Sequence, residues 1–206
     1  RLKMLVVIED SATIDGIQPL IGDEITRMLE TEQFKKLGTW EIFNTTEEIN
    51  NKFHNADNVT AAVLRAVHHQ EYWSAVHVVP NATYNQYQLY SGETQEVPVA
   101  AQVMYESGRD ITNVKSWIVP TLQKIQSQFN QQFGDTVGQP LVSRLSEDEK
   151  LNLINNATLL TTLPTINFVD YRPYSDPTLL APLQVGLIYL IIISFFLFNF
   201  FAEVHR

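Results

Sequence analysis

Few residues in this 206-residue chain are equipped for chemistry, and their spacing limits what they can do. His54, His68, His69 and His77 fall within one short region and are the first candidates for a metal centre. Adjacent His68 and His69 point about 100° apart on a helix, and no pair stands at the i, i+4 spacing that puts two ligands on one face. His77 shares a strand face with Trp73, Ala75 and Val79. These read as scattered structural or surface histidines, and no metal is expected. Glu9, Asp10 and Asp15 follow the first strand-like run, where α/β proteins place ligand sites. With no base or metal ligand beside them in sequence, they read as solvated loop and turn acids. The phosphate loops GxxxxGK[ST] and GxGxxG are missing, as are the GxSxG elbow and HExxH. The absence of cysteine excludes disulfides, thiolate zinc sites and a cysteine nucleophile. No catalytic or cofactor-binding residue is assigned, no cofactor is expected, and the chain reads as a non-enzyme.

Modification chemistry is better represented. Asn44, Asn58, Asn81 and Asn156 each open an Asn-X-Thr sequon without proline in the middle. All four precede the greasiest stretch of the chain, Leu183 to Ala202, which carries no formal charge. As a helix, its roughly 20 residues rise about 30 Å, the thickness of a bilayer's hydrocarbon core. Apolar residues surround every face, so it is not an amphipathic surface helix. The reading is a transmembrane helix over 183–202, with the sequon-bearing residues before it on the lumenal or extracellular side. Within the span, Asn199 and Tyr189 want hydrogen-bonding neighbours, Ser194 is a further polar position, and Gly186 permits close approach of a second helix. These four are the expected helix-packing positions, which favours other transmembrane helices, of the same protein or of a homo-oligomer, as partners alongside membrane lipid.

The elements that would position these residues alternate along the chain. Leu2 to Ile8 reads as a buried strand, the segment with Ile21, Ile25, Met28 and Leu29 at helical spacing as a helix that Gly38 closes after Lys35 and Lys36, and Thr39 to Phe43 as a second strand. Thr45 or Thr46, and Asn58 or Thr60, fit helix N-caps. Trp73 to Val79, Tyr84 to Tyr90, Val97 to Tyr105 and Ile166 to Tyr171 read as strands. The longest helical pattern runs from Asp110 to Phe133, with Asp110 as cap, Gly134 as stop and a kink or split at Pro120. Ser146 to Glu149 forms a capping box. The fold class is α/β, a mixed sheet with flanking helices, followed by the transmembrane helix. Net charge is −9 with no basic run, so no nucleic-acid partner is expected. Arg1 is not an initiator methionine, and the chain reads as an internal piece of a longer protein.

The order of these pieces resembles the fungal nitrosoguanidine-resistance family of membrane proteins, a DUF3533-type family. That family is similar to the bacterial phage-infection-protein group within the ABC-2 permease-like superfamily. The residues that carry the resemblance are Val6 to Asp10, Ile21 to Ile25 with Trp40, Trp73 to Thr83, and the run from Asp176-Pro177 to Tyr189. Bacterial relatives have Asn two residues before the strand-end Asp and Gly two after it, where this chain has Ile8 and Ala12. The resemblance implies an extracellular or lumenal domain over 1–175, a Pro-rich loop leading to the membrane over 176–182, the span over 183–202, and the start of a following loop over 203–206. It also implies a fungal plasma membrane and a role in drug or toxicant resistance, or in export of lipids and hydrophobic compounds. The alternative is a non-transporting accessory or regulatory subunit bound to a larger membrane enzyme complex.

Overall fold

The computed structural model describes residues 2–173 and 180–204, in two units, Arg1–Arg172 and Pro173–Arg206. The first unit is built on β1 (Lys3–Ile8), followed by α1 (Leu20–Leu29), α2 (Glu32–Leu37) and β2 (Thr39–Phe43). Next come α3 (Thr46–Phe53), α4 (Val59–His68), β3 (Ser74–Val78), α5 (Ala82–Ser91) and β4 (Val99–Tyr105). A continuous helical stretch then links α6 (Ile111–Asn113), a π turn (Val114–Ile118), α7 (Val119–Phe133), a second π turn (Gly134–Gly138) and α8 (Gln139–Arg144). The unit closes with α9 (Glu147–Asn155), a 3-10 turn (Ala157–Thr161) and β5 (Thr165–Asp170).

The five strands are ordered β2-β1-β3-β4-β5. β1 runs parallel to both β2 and β3, β4 is antiparallel to β3, and β5 is parallel to β4. The expected mixed sheet with flanking helices is therefore present. Parallel strands are joined by right-handed crossovers, so stepping from β1 to β2 and then back across β1 to β3 puts the two helix pairs on opposite faces. The packing follows that rule. Met4, Val6 and Ile8 point to the face covered by α1, α2, α5 and α7, where Ile21, Ile25, Phe34 and Phe129 are buried. Leu5 and Val7 point to the other, smaller face, under Ile49 of α3 and Val63 and Val67 of α4. β1 is thus buried on both sides and reads as a continuous apolar run, and each such side chain contributes about 1.5–3 kcal/mol.

Local signals produced the expected caps. The side chains of Thr45, Asn58 and Asp110 accept from Glu48 N, Ala61 N and Asn113 N, and Ser146 with Glu149 completes a capping box. Three expectations fail. Tyr84 to Tyr90 is not a strand but most of α5; Asn81, at φ 58°, turns the chain, and Tyr84 and Tyr87 stack at 6.2 Å with the i, i+3 spacing of a helix. Gly134 does not stop the long helix, because it takes helical angles and the chain continues to Arg144. At Pro120 the stretch stays helical, so it is not split in two there. A proline ring crowds the carbonyl four residues back, and here a π turn precedes it, with Thr121 Oγ1 donating to the Trp117 carbonyl at 2.7 Å. Pro140 follows the second π turn in the same relation.

The second unit holds α10 (Leu180–Val204), whose described side chains from Gln184 to Phe198 are exposed on every side. Among the described residues no helix is long and apolar enough to cross a membrane. The span expected over 183–202 therefore exceeds what the described residues carry. Tyr189 is exposed and a Cβ on Gly186 would meet nothing within 4 Å. Ser194 Oγ donates to the Leu190 carbonyl at 2.7 Å, so its hydroxyl is satisfied within its own helix. Residues 174–179 of the expected approach loop, and the side chain of Asn199, lie outside the described residues.

Candidate functional site

The order β2-β1-β3 creates a switch point between the carboxyl ends of β1 and β3, the place where open α/β sheets bind ligands. The consecutive acids Glu9 and Asp10 leave β1 there and, by strand alternation, reach opposite faces. Asp10 turns to the larger face and is 3% exposed. Its Oδ2 accepts from Thr83 Oγ1 at 2.6 Å and from Gly22 N at 3.1 Å, and its Oδ1 accepts from Thr83 N at 3.2 Å. Thr83 Oγ1 in turn accepts from Ile21 N at 2.9 Å. The free N–H groups that open α1 and α5 would suit a bound phosphate, but the chain's own carboxylate already occupies them. Burial pushes the Asp10 carboxyl above its usual range, against the pull of the Thr83 and Gly22 hydrogen bonds. Gly22 is required by this closure. A Cβ there would stand 2.8 Å from Ile8 Cγ2 and closer still to the Asp10 carbonyl oxygen.

Glu9 turns to the smaller face. Its Oε2 lies 2.6 Å from Nε2 of His77, which is fully buried, and His77 Nδ1 lies 3.4 Å from Thr60 Oγ1 at the start of α4. Carboxylate, imidazole and hydroxyl in that order form the connectivity of a hydrolytic triad. Here the Thr60 contact is long, and the five principal clefts among the described residues are lined by other side chains. The arrangement acts as a latch: adjacent acids bind the two helical layers to the strand ends, one on each side of the sheet. The expectation that Glu9 and Asp10 are solvated turn acids is overturned for Asp10, which is buried, and for Glu9, which has His77 as its partner. Of the three acids Asp15 alone remains exposed, at φ 49° in the turn bridged by Ile14 and Ile17, and it accepts from the Tyr84 hydroxyl at 2.8 Å.

The remaining histidines separate. His68 sits 3.3 Å from Glu106, which also faces Arg172 at 3.7 Å. His54 and His69 line one polar cleft with Lys52, Arg65 and Glu71. Among the described residues no three His, Cys, Asp or Glu side chains gather as a metal site. At the opposite end of the sheet the Tyr72 hydroxyl donates to Glu41, which Lys3 approaches to 3.1 Å. That hydrogen bond, followed by the Lys3 contacts, holds the Glu41 carboxyl below its usual range. Arg109 stacks on Trp73 at 3.8 Å and donates to the Tyr72 carbonyl. All four sequon asparagines, Asn44, Asn58, Asn81 and Asn156, are exposed.

A mainly apolar opening lies elsewhere, beside the second π turn. It is a cleft of about 470 Å³, within the range of small-molecule pockets, between α5, the turn with α8, α9 and the 3-10 turn. Tyr90, Gly134, Gly138, Val142 and Leu160 supply its apolar lining. Sequence reasoning missed it, although a Gly-x-x-x-Gly step two residues ahead of a proline was there to be read.

The family described as a protein of unknown function, DUF3533, matches residues 1–206, and the chain belongs to it. A particular relative is an uncharacterized endoplasmic reticulum membrane protein of Saccharomyces cerevisiae, 29% identical over 213 residues. That match covers 100% of this chain and 42% of the yeast protein, so the chain spans less than half the relative's length. No solved structure matches.

Proposed function

We propose that this chain is the non-enzymatic α/β domain, with its anchor, of an integral membrane protein similar to ABC-2-type permease subunits. In this reading the protein exports lipids or other hydrophobic compounds and so confers resistance to toxicants, and α10 crosses the bilayer over 183–202. The observation that carries it is α10 itself: from Gln184 to Phe198 it has no formal charge, and Leu187, Phe195 and Phe198 are 60%, 65% and 74% exposed. A helix apolar on all sides is stable where lipid or other helices surround it. The yeast relative, described as an endoplasmic reticulum membrane protein, supports a membrane location. The four exposed sequons support a lumenal or extracellular domain, and the plasma membrane is the destination proposed. Other transmembrane helices and lipid are its partners. Non-catalytic action is favoured by the switch point, which the chain closes with its own carboxylates.

A second reading, an accessory subunit of a larger membrane complex, is favoured by Leu151 and Ile154. They lie one turn apart on α9 and are 59% and 64% exposed, an apolar face available to a partner. Alkaline carbonate extraction, glycosidase treatment and mild-detergent purification from native membranes test both. Retention in the carbonate pellet and a band shift lost on combined Asn44, Asn58, Asn81 and Asn156→Gln substitution are expected. Release into the supernatant overturns the membrane span, and a stoichiometric enzyme in the purified material replaces the export reading with the accessory one.

A further inference from the structure

The cleft beside the second π turn exists because of two sequence features. Pro140 offers no N–H to the Thr136 carbonyl, and the widened turn Gly134–Gly138 accommodates its ring. Thr136 Oγ1 donates to the Gln132 carbonyl at 3.0 Å, satisfying an acceptor that the turn disturbs. Gly134 and Gly138 then leave the cleft side of the turn bare. A Cβ at Gly134 would meet nothing within 4 Å, and one at Gly138 would stop 3.7 Å from the Tyr90 hydroxyl. Tyr90 is 2% exposed and still lines the cleft. Gln86, one turn back on α5, is fully buried beside Tyr90, and its Nε2 donates to the Thr162 carbonyl at 3.3 Å, which holds α5 against the chain that follows the 3-10 turn.

The floor of the cleft is therefore the Tyr90 hydroxyl, its walls are Val142, Leu160 and the stem of Lys150, and its rim is polar. The rim carries one carboxylate, Asp135, and one ammonium, Lys150, with Gln139 and Ser143 between charge types. Lys150 is already paired with Glu147 at 2.9 Å, so no uncompensated cation awaits an anionic head, and the chain as a whole is acidic at −9. We propose that this cleft is a lipid site for a single-chain amphiphile whose head has no net charge, the chain lying on Val142, Leu160 and the Tyr90 ring and the head at the Asp135–Lys150 rim. The proposal rests on the reading that the protein handles hydrophobic molecules, and it names where one binds.

The test is a titration of the full chain, held in amphipol rather than detergent, with a fluorescent lysophosphatidylcholine followed by anisotropy. Saturable binding is expected. Gly138→Leu should weaken it at least about tenfold by filling the space in front of Tyr90. Where that variant fails to fold, Gly134→Leu, whose side chain meets open space, should weaken binding comparably with a thermal midpoint within about 2 °C of the parent. Tyr90→Phe should weaken it about threefold. Equal affinity of Gly134→Leu and the parent, or no saturable binding at all, overturns the site; equal competition by lysophosphatidic acid overturns the uncharged head. Carbonate extraction of the parent chain is independent of the cleft, so a parent chain that stays in the pellet but shows no saturable probe binding rejects this site and leaves the membrane reading standing.

Discussion

Gly22 on α1 and Gly134 on the second π turn are both helical glycines at the wall of a place where a ligand could sit, yet their surroundings are opposite. Gly22 lets the start of α1 approach the end of β1 so closely that Asp10 fills both neighbouring helix N-termini. Gly134 faces open space at the edge of a cleft of about 470 Å³. Topology alone would place the site at the first of these. In this molecule the switch point is sealed by the chain's own carboxylate, and the opening is found where a proline has forced the helix off its regular spacing. Backbone irregularity, rather than strand order, marks the accessible site.

The same substitution at the two glycines breaks or sharpens this contrast. Gly22→Ala should be the most damaging change. Helix propensity favours alanine by about 1 kcal/mol, but the new Cβ would press on the backbone of Asp10, which cannot yield cheaply. A net loss of at least about 2 kcal/mol, or failure to fold, is expected in denaturant unfolding; an unchanged midpoint would mean the switch point has room after all.

Asp10→Ala comes next. It strips the acceptor from Gly22 N, Thr83 N and the Thr83 hydroxyl, and a loss of about 2–3 kcal/mol is expected. The loss should depend on pH with a definite sign. The Asp10 carboxyl is raised in the folded state, so its contribution is fully present below the unfolded value near 3.8 and declines as pH rises through the folded value. Wild type and Asp10→Ala should therefore differ most in acid and less towards neutrality. A difference that widens with rising pH would show the three hydrogen bonds outweighing burial. Gly134→Ala should have the smallest effect and the opposite sign: a gain of about 0.5–1 kcal/mol, from helix propensity with no clash, read as a raised unfolding midpoint.

Much of the fold was legible in residues close together in sequence. The apolar run of β1 and the caps at Thr45, Asn58, Asp110 and Ser146 each depend on neighbours within a few positions. Misreadings arose where a residue type serves two structures. The tyrosines from Tyr84 to Tyr90 favour a strand by residue type, but their spacing of three, at 84, 87 and 90, suits one side of a helix. Gly134 suits a helix stop as well as a wide turn. The acids were misread for a different reason: Glu9 finds His77 across 68 positions, and Asp10 finds Thr83 across 73.

By itself, then, the sequence determined the α/β class, the strand-and-helix order of most of the 1–172 unit and the greasy α10. Those properties follow from hydrophobic period, capping residues and local turn chemistry, all written within a turn or two of chain. Tertiary structure alone decided that the switch point is closed and that a cleft opens beside Pro140. Both outcomes depend on how closely distant segments approach: a carboxylate at the end of β1 against the start of α5, and a bare helical turn facing Tyr90. No local pattern encodes such a distance; it is set when the helices pack on the sheet.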